Sequence, residues 1–338
     1  MNRKIMSLGR SSLVVSLPKH WIVLNELKKG DVVSLAVQRD RSLVVFPGAE
    51  KKREPKEITL HVESNERESL IVRKLIGCYL NGYSGIKVVS DNIFSVPQGK
   101  AIRNIVTMLY MRVMVSDAKS MYIQTLIDES KASPELAINR MHKISRSMCV
   151  DAFNSLKNQD TMLAKAVFSL DDDVDHFSFF ILRLLRDAAQ DSVLANELGI
   201  DPLDCMDHQT LVHKIEHSAD YAADIAKHVI MINERRLKIP EHLLALMFEA
   251  GNEAIELYDK AVKTFSSKDV AASVEVLEGQ QKIEKRDQEI ASKAFMRKQE
   301  NALVICAICS IRDDIKKIAE CAADIAEIAT DRAYKMAT

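Results

Sequence analysis

The sequence predicts a multidomain chain: a small all-β/α module at the N-terminus, a small α/β unit in the middle, and an all-α C-terminal half made of two three-helix repeats. Three observations predict it. The 338 residues exceed one ordinary domain, and 47% hydrophobic with 28% charged residues is a globular balance that allows a sizeable core. Up to Phe46, short Val-rich runs are bounded by Gly, Pro and Asp, a strand pattern. Beyond Ser133-Pro134 the periodicity turns helical and stays so, with Pro202 and Pro240 as breaks.

In order along the chain, the apolar runs Ile5–Leu8, Leu13–Leu17, Val32–Val37 and Ser42–Phe46 read as strands. Pro18 to Leu24 reads as a short helix with Pro at its first position, followed by the Lys29-Gly30-Asp31 turn. This β-β-α-β-β order, taken as residues 1–50, leaves little core for a unit so small, so it needs a partner and a homodimer is the expected solution. Lys51 to Lys56 forms a charged, Pro-containing linker. Residues 57–130 then read as a strand at Glu57–Val62, a helix at Glu66–Leu80, a strand at Ile86–Val89, a helix from about Gln98 to Tyr110 and a strand near Tyr122–Leu126. The unit has no glycine-rich phosphate loop and reads as a spacer or dimerisation unit.

Six long helices fit the remainder: about 134–157, 161–196, 203–235, 241–265, 268–299 and 301–336. They show self-similarity. Asn158-Gln159-Asp160 corresponds to Ser267-Lys268-Asp269 at an offset of 109, and Ala222-Ala223-Asp224-Ile225-Ala226 repeats as Ala322-Ala323-Asp324-Ile325-Ala326 at an offset of 100. The difference is a longer connection around Leu198 to Met206. Two repeats follow, 132–236 and 240–338.

Charge is unevenly spread. Residues 1–56 hold twelve Lys/Arg against five acids, a net +7 that leaves −8 on the rest of a chain whose total is −1. A basic head suits a polyanion, and an acidic body suits cations or protein partners. The sequence offers no run of about 18 apolar residues and no signal peptide, so no membrane insertion and a cytoplasmic location are expected. The six cysteines are scattered, as suits reduced thiols. Cys306-x-x-Cys309 lies in an apolar helical stretch without a second pair, which favours packing over metal or redox chemistry.

Asp171 with Asp175, and Glu216 with Asp220, stand four residues apart, so each pair lies on one helical face. Like charges at that spacing repel. Unless solvated they need a cation, and two such pairs on neighbouring helices make an oxygen-rich site for a divalent or iron-type metal ion. His213 and His217 stand near enough to join it. The corresponding positions in the second repeat are Gln280, Glu284, Lys316 and Glu320, so two carboxylates are gone and Lys316 is able to pair with Glu284 or Glu320. Metal is therefore expected at the first repeat. The chain carries no Glu-x-x-His motif, Gly-x-Ser-x-Gly elbow or Walker loop, and it is not expected to be an enzyme.

The N-terminal stretch, with Arg3-Lys4 before the first strand, Leu8-Gly9-Arg10 at its end, the run into Leu17-Pro18 and the Lys28-Lys29-Gly30-Asp31 turn, resembles the AbrB/MazE/SpoVT family. That resemblance implies hairpins interleaved in a swapped dimer and DNA contacts from loop arginines. Arg3, Lys4 and Arg10, with Lys19 and His20 at the helix start, are the candidate DNA-binding residues, Lys and Arg supplying phosphate contacts. The Asp171–Asp175 and Glu216–Asp220 motifs, leading to Ala223-Asp224-Ile225-Ala226, make the helical half resemble PhoU, the phosphate-uptake regulator. This implies two three-helix repeats with metal-binding acidic motifs and control of phosphate uptake; the combination of such a head and body resembles archaeal regulators. Two functions follow from it: a homodimeric DNA-binding regulator, or an adaptor that docks on a phosphate transporter ATPase or signalling protein and uses the head only to dimerise.

Overall fold

The Val-rich runs of the head pair into two antiparallel two-stranded sheets: β1 (Met6–Leu8) with β2 (Ser12–Val14), and β3 (Val33–Val37) with β4 (Leu43–Pro47). Between them lies α1 (Lys19–Leu24). Its N-cap is Pro18, whose carbonyl accepts from Ile22 at 3.1 Å, so the helix begins one residue later than the proline pattern predicts. These and all following details come from a computed structural model that describes residues 2–9, 11–37, 41–48, 55–128, 131–295 and 301–335. Most of the expected linker lies outside them.

The chain divides into two compact units, Met1–Glu54 and Pro55–Ala337. Among the described residues of the first, none is buried, and Leu13, Leu24 and Val37 are each at least 70% exposed. Its strands are apolar but have no core of their own.

The second unit opens with a four-stranded mixed sheet of order β5-β6-β8-β7. β5 (Glu57–His61) and β6 (Gly85–Val89) are parallel, joined across one face by α2 (Glu68–Leu80). α3 (Val96–Met108) starts at a capping box in which Ser95 and Gln98 satisfy each other's backbone N–H groups. Two corrections arise here. The second helix does not reach Tyr110, which has φ +51° and turns the chain into β7 (Met111–Ser116), a strand the sequence reading lacks. β8 (Ser120–Thr125) follows a turn in which the Asp117 carboxylate accepts from the backbone N–H groups of Lys119 and Ser120. β7 escapes the alternation test because a bulge between Val113 and Val115 shifts the register and leaves Met114 and Val115 exposed.

The helices that follow are α4 (Pro134–Asn158), α5 (Thr161–Gln190), α6 (Ser192–Leu198), α7 (Pro202–Glu234), α8 (Glu241–Ser267), α9 (Val270–Phe295) and α10 (Ala302–Ala333). The helix predicted at 161–196 is thus two. Asp191 interrupts it, its carboxylate accepting from Val193 and Leu194 to cap α6. Gly199 at φ +71° then ends α6 before α7 begins. Similar features recur 109 residues apart: Gln159 and Lys268 end α4 and α8 in the left-handed conformation, at φ +54° and +57°, and Asp160 and Asp269 follow as acceptors for the next helix. α4 packs on α8 and α7 on α10, so the two sets of helices share one apolar core. A buried polar chain threads that seam: Tyr258 Oη donates to Ser145 Oγ (3.0 Å), which donates to the Ile215 carbonyl (3.1 Å).

Candidate cation site on facing helices

Asp171 and Asp175 lie on α5, and Glu216 and Asp220 on α7, the helix packed beside it. All four are half-buried. The apolar stripe that seats them is regular: Val174 on α5, and Ile215, Ala219 and Ala223 on α7, are at most 1% exposed, which fixes the intervening acids at the margin of the core.

Burial and neighbouring acids raise all four above the usual carboxylate range. Burial pushes Asp175 up to about 6, and the negative charges of Asp171 and Asp220 push in the same direction. Glu216 is pushed up to about 7 by burial, then by Asp220, Asp175 and Asp171. Asp171 is raised by burial and by Asp220, against a lowering influence from Lys227. Asp220 is raised by burial, with His217 opposing and Asp224 adding to it. Each carboxylate therefore resists ionisation first through burial, and Asp171, Asp175 and Glu216 are raised further by acids on the neighbouring helix.

The donors are all oxygens, the set a hard cation prefers, and neutralising one another's repulsion is what such an ion would supply. Among the described residues no three His, Cys, Asp or Glu groups are gathered closely enough to form a ready ligand shell. The acids converge on a region without enclosing a point. His217 Nε2 lies 3.8 Å from Glu216, and its ring centroid is 6.5 Å from that of His213, whose pKa is lowered by burial.

Acidic groups the sequence reading did not assign extend the region. Asp224 stands one turn beyond Asp220 and accepts a 2.7 Å hydrogen bond from Lys227. Asp314 on α10 is 5% exposed and pushed up to about 7, by burial first and by Asp224 next. The four-residue spacing that marks Glu216 and Asp220 continues to Asp224 and was available as a signal. Asp314 carried none, because only the packing of α10 on α7 brings it there.

At the corresponding side of α9 and α10 the charges are matched internally. Lys316 Nζ lies 3.7 Å from Glu320, and Arg312 Nε lies 3.1 Å from Asp287. Of the other candidates, Arg3 and Lys4 precede β1, Lys19 and His20 open α1, and all four are exposed; Arg10 lies outside the described residues. Cys306 is exposed and Cys309 half-buried near the start of α10, both as free thiols. Among the described residues no helix is long and apolar enough to cross a membrane.

Comparison with known proteins bears on the helical part. Residues 138–229 match the family model of the PhoU domain. In fold, the chain is similar to PhoU from Pseudomonas aeruginosa, with a TM-score of 0.53 and 18% identity over 58% of this chain and 93% of that one. It is likewise similar to the phosphate transport system regulatory protein PhoU from Streptococcus pneumoniae, with a TM-score of 0.51 and 16% identity over 61% of this chain and 95% of that one. No curated protein matches the chain in sequence. The helical part therefore has a PhoU-like fold, joined here to an N-terminal β-rich unit and an α/β unit.

Proposed function

We propose that the chain is a phosphate-uptake regulatory protein of the PhoU type, in which a cation-binding helical body governs a dimeric DNA-binding head. The observation that carries this reading is that the segment matching the PhoU domain, residues 138–229, contains Asp171, Asp175, Glu216 and Asp220. The recurrence of helix caps 109 residues apart favours a duplicated body of two three-helix repeats. Ion pairs on α9 and α10 favour the first repeat as the cation site. When bound, the metal would neutralise the four carboxylates and draw α5 and α7 together. The residues of this chain do the rest: Val174 and Ile215 hold the acids at the core margin, and Lys227 tempers the charge at Asp224.

For the head, the support is physical. Apolar strands with no buried residue are stable only when another surface covers them, and a second copy offers the same strands in return. Arg3, Lys4, Lys19 and His20, with Arg10, give such a dimer basic groups for DNA phosphates, in line with the AbrB-like pattern. A gel shift against promoter DNA of phosphate-uptake genes tests this, with the double variant Arg3→Ala/Arg10→Ala beside the wild type. The expected result is a specific shift by wild type that weakens as salt rises and is lost in the double variant. Failure of wild type to shift any such DNA at moderate salt would instead favour the adaptor function, in which the head only dimerises and the body docks on a transporter ATPase or signalling protein.

A further inference from the structure

The α/β unit reads from sequence as a spacer, yet its helix contacts with the body run through α5, the helix that carries Asp171 and Asp175. Two joints make the connection. The first lies immediately beyond the acid pair: the Tyr110 ring meets His176 edge-on at 5.6 Å and Phe180 at 5.9 Å. Tyr110 is held there by a left-handed backbone, φ +51°, that a bulky side chain seldom adopts.

The second joint is a clamp on the C-terminus of α2. The last carbonyls of a helix lack intrahelical partners and carry partial negative charge. Here two arginines of α5 satisfy them. Arg183, 2% exposed, donates to the carbonyls of Tyr79 (2.7 Å) and Tyr83 (2.9 Å) and lies over the Tyr79 ring at 4.7 Å. Arg186 donates to the Leu80 carbonyl at 2.9 Å and to Asn81 Oδ1 at 3.1 Å. The approach beside the clamp is close. Gly82 has φ +80°, and a Cβ placed on it would stand 2.3 Å from the Asp187 carboxylate. Any shift of α5 must therefore carry α2 along or break the arginine contacts.

We propose that cation binding at the four carboxylates is transmitted along α5 to the α/β unit, which makes residues 57–128 the readout of the site. This rests on the reading of the carboxylates as a cation site. Without an ion, repulsion acts across the boundary between α5 and α7; a bound ion reverses it. Because α5 is fixed to α2 and to the Tyr110 corner, the change reaches the sheet that α2 and α3 cover.

Hydrogen exchange of the full chain, with and without Mn²⁺, reads the coupling at residues 79–83 and 109–112. The expected result is a severalfold slowing at both joints on adding Mn²⁺. By reciprocity, Arg186→Ala, which loosens the clamp at an exposed position, should weaken Mn²⁺ binding by about 5-fold or more. Mn²⁺ binding that leaves both joints unchanged would overturn the coupling while leaving the cation site standing. If Mn²⁺ does not bind, the cation reading fails and Asp175→Asn, which relieves the same repulsion, decides the coupling: altered exchange at the joints supports it, and unaltered exchange overturns it.

Discussion

At Asp175 and Glu216, pushed up to about 6 and about 7 by burial and by acidic neighbours, the folded chain keeps protons that the unfolded chain releases. Unfolded carboxyls titrate near 4. Between that value and the folded ones the native state binds more protons, so its stability falls as pH rises through the window, and the full cost stands above it. These groups are half-exposed, so solvent screening reduces the cost to about 1 kcal/mol each. Asp175→Asn should accordingly raise the urea midpoint at neutral pH in the presence of chelator, and the gain should vanish in acid, below the unfolded value. A midpoint that is lower than wild type at neutral pH would show that the carboxylate is held by a partner. The residues of this site were legible in the sequence to different degrees. Asp171, Asp175, Glu216 and Asp220 announce themselves by spacing within single helices, whereas Asp314 joins from a helix about a hundred positions away and has no local signature.

Among the elements, glycines separate tight packing from open surface. A Cβ on Gly251 of α8 would lie 2.5–2.7 Å from three ring atoms of Phe153, itself 0% exposed on α4. A Cβ on Gly77 of α2 would have nothing within 4 Å. Gly251→Ala should therefore cost about 1–3 kcal/mol by overpacking, while Gly77→Ala should gain up to about 1 kcal/mol from helix propensity. Thermal melts of the two variants check the contrast; equal shifts would contradict it. The long helices were readable because their apolar spacing persists over many turns and Asp160, Asp269 and Asn301 stand at their starts as caps. β7 was not readable, since its bulge breaks the two-residue period, and neither was the break at Asp191, where the helical pattern continues across the cap. Whether a residue such as Gly251 faces an aromatic ring on another helix is a property of packing that no window of sequence contains.

Across the whole molecule, a basic, coreless head contrasts with an acidic body built on one continuous core, and the α/β unit is fixed to the helix that bears the acids. In the proposed reading, that arrangement gives the body a cation to sense and a route along α5 for the result to travel. The proposed dimerisation of the head and the proposed cation site of the body are independent, so each can fail alone. The proposed function depends most on the candidate cation site. Calorimetric titration of the full chain with Mn²⁺, beside Asp175→Asn/Asp220→Asn and Lys316→Ala, measures it directly. Wild type should bind Mn²⁺ saturably, the double variant should lose that binding and Lys316→Ala should keep it. Wild type taking up no more Mn²⁺ than the double variant would contradict the cation reading.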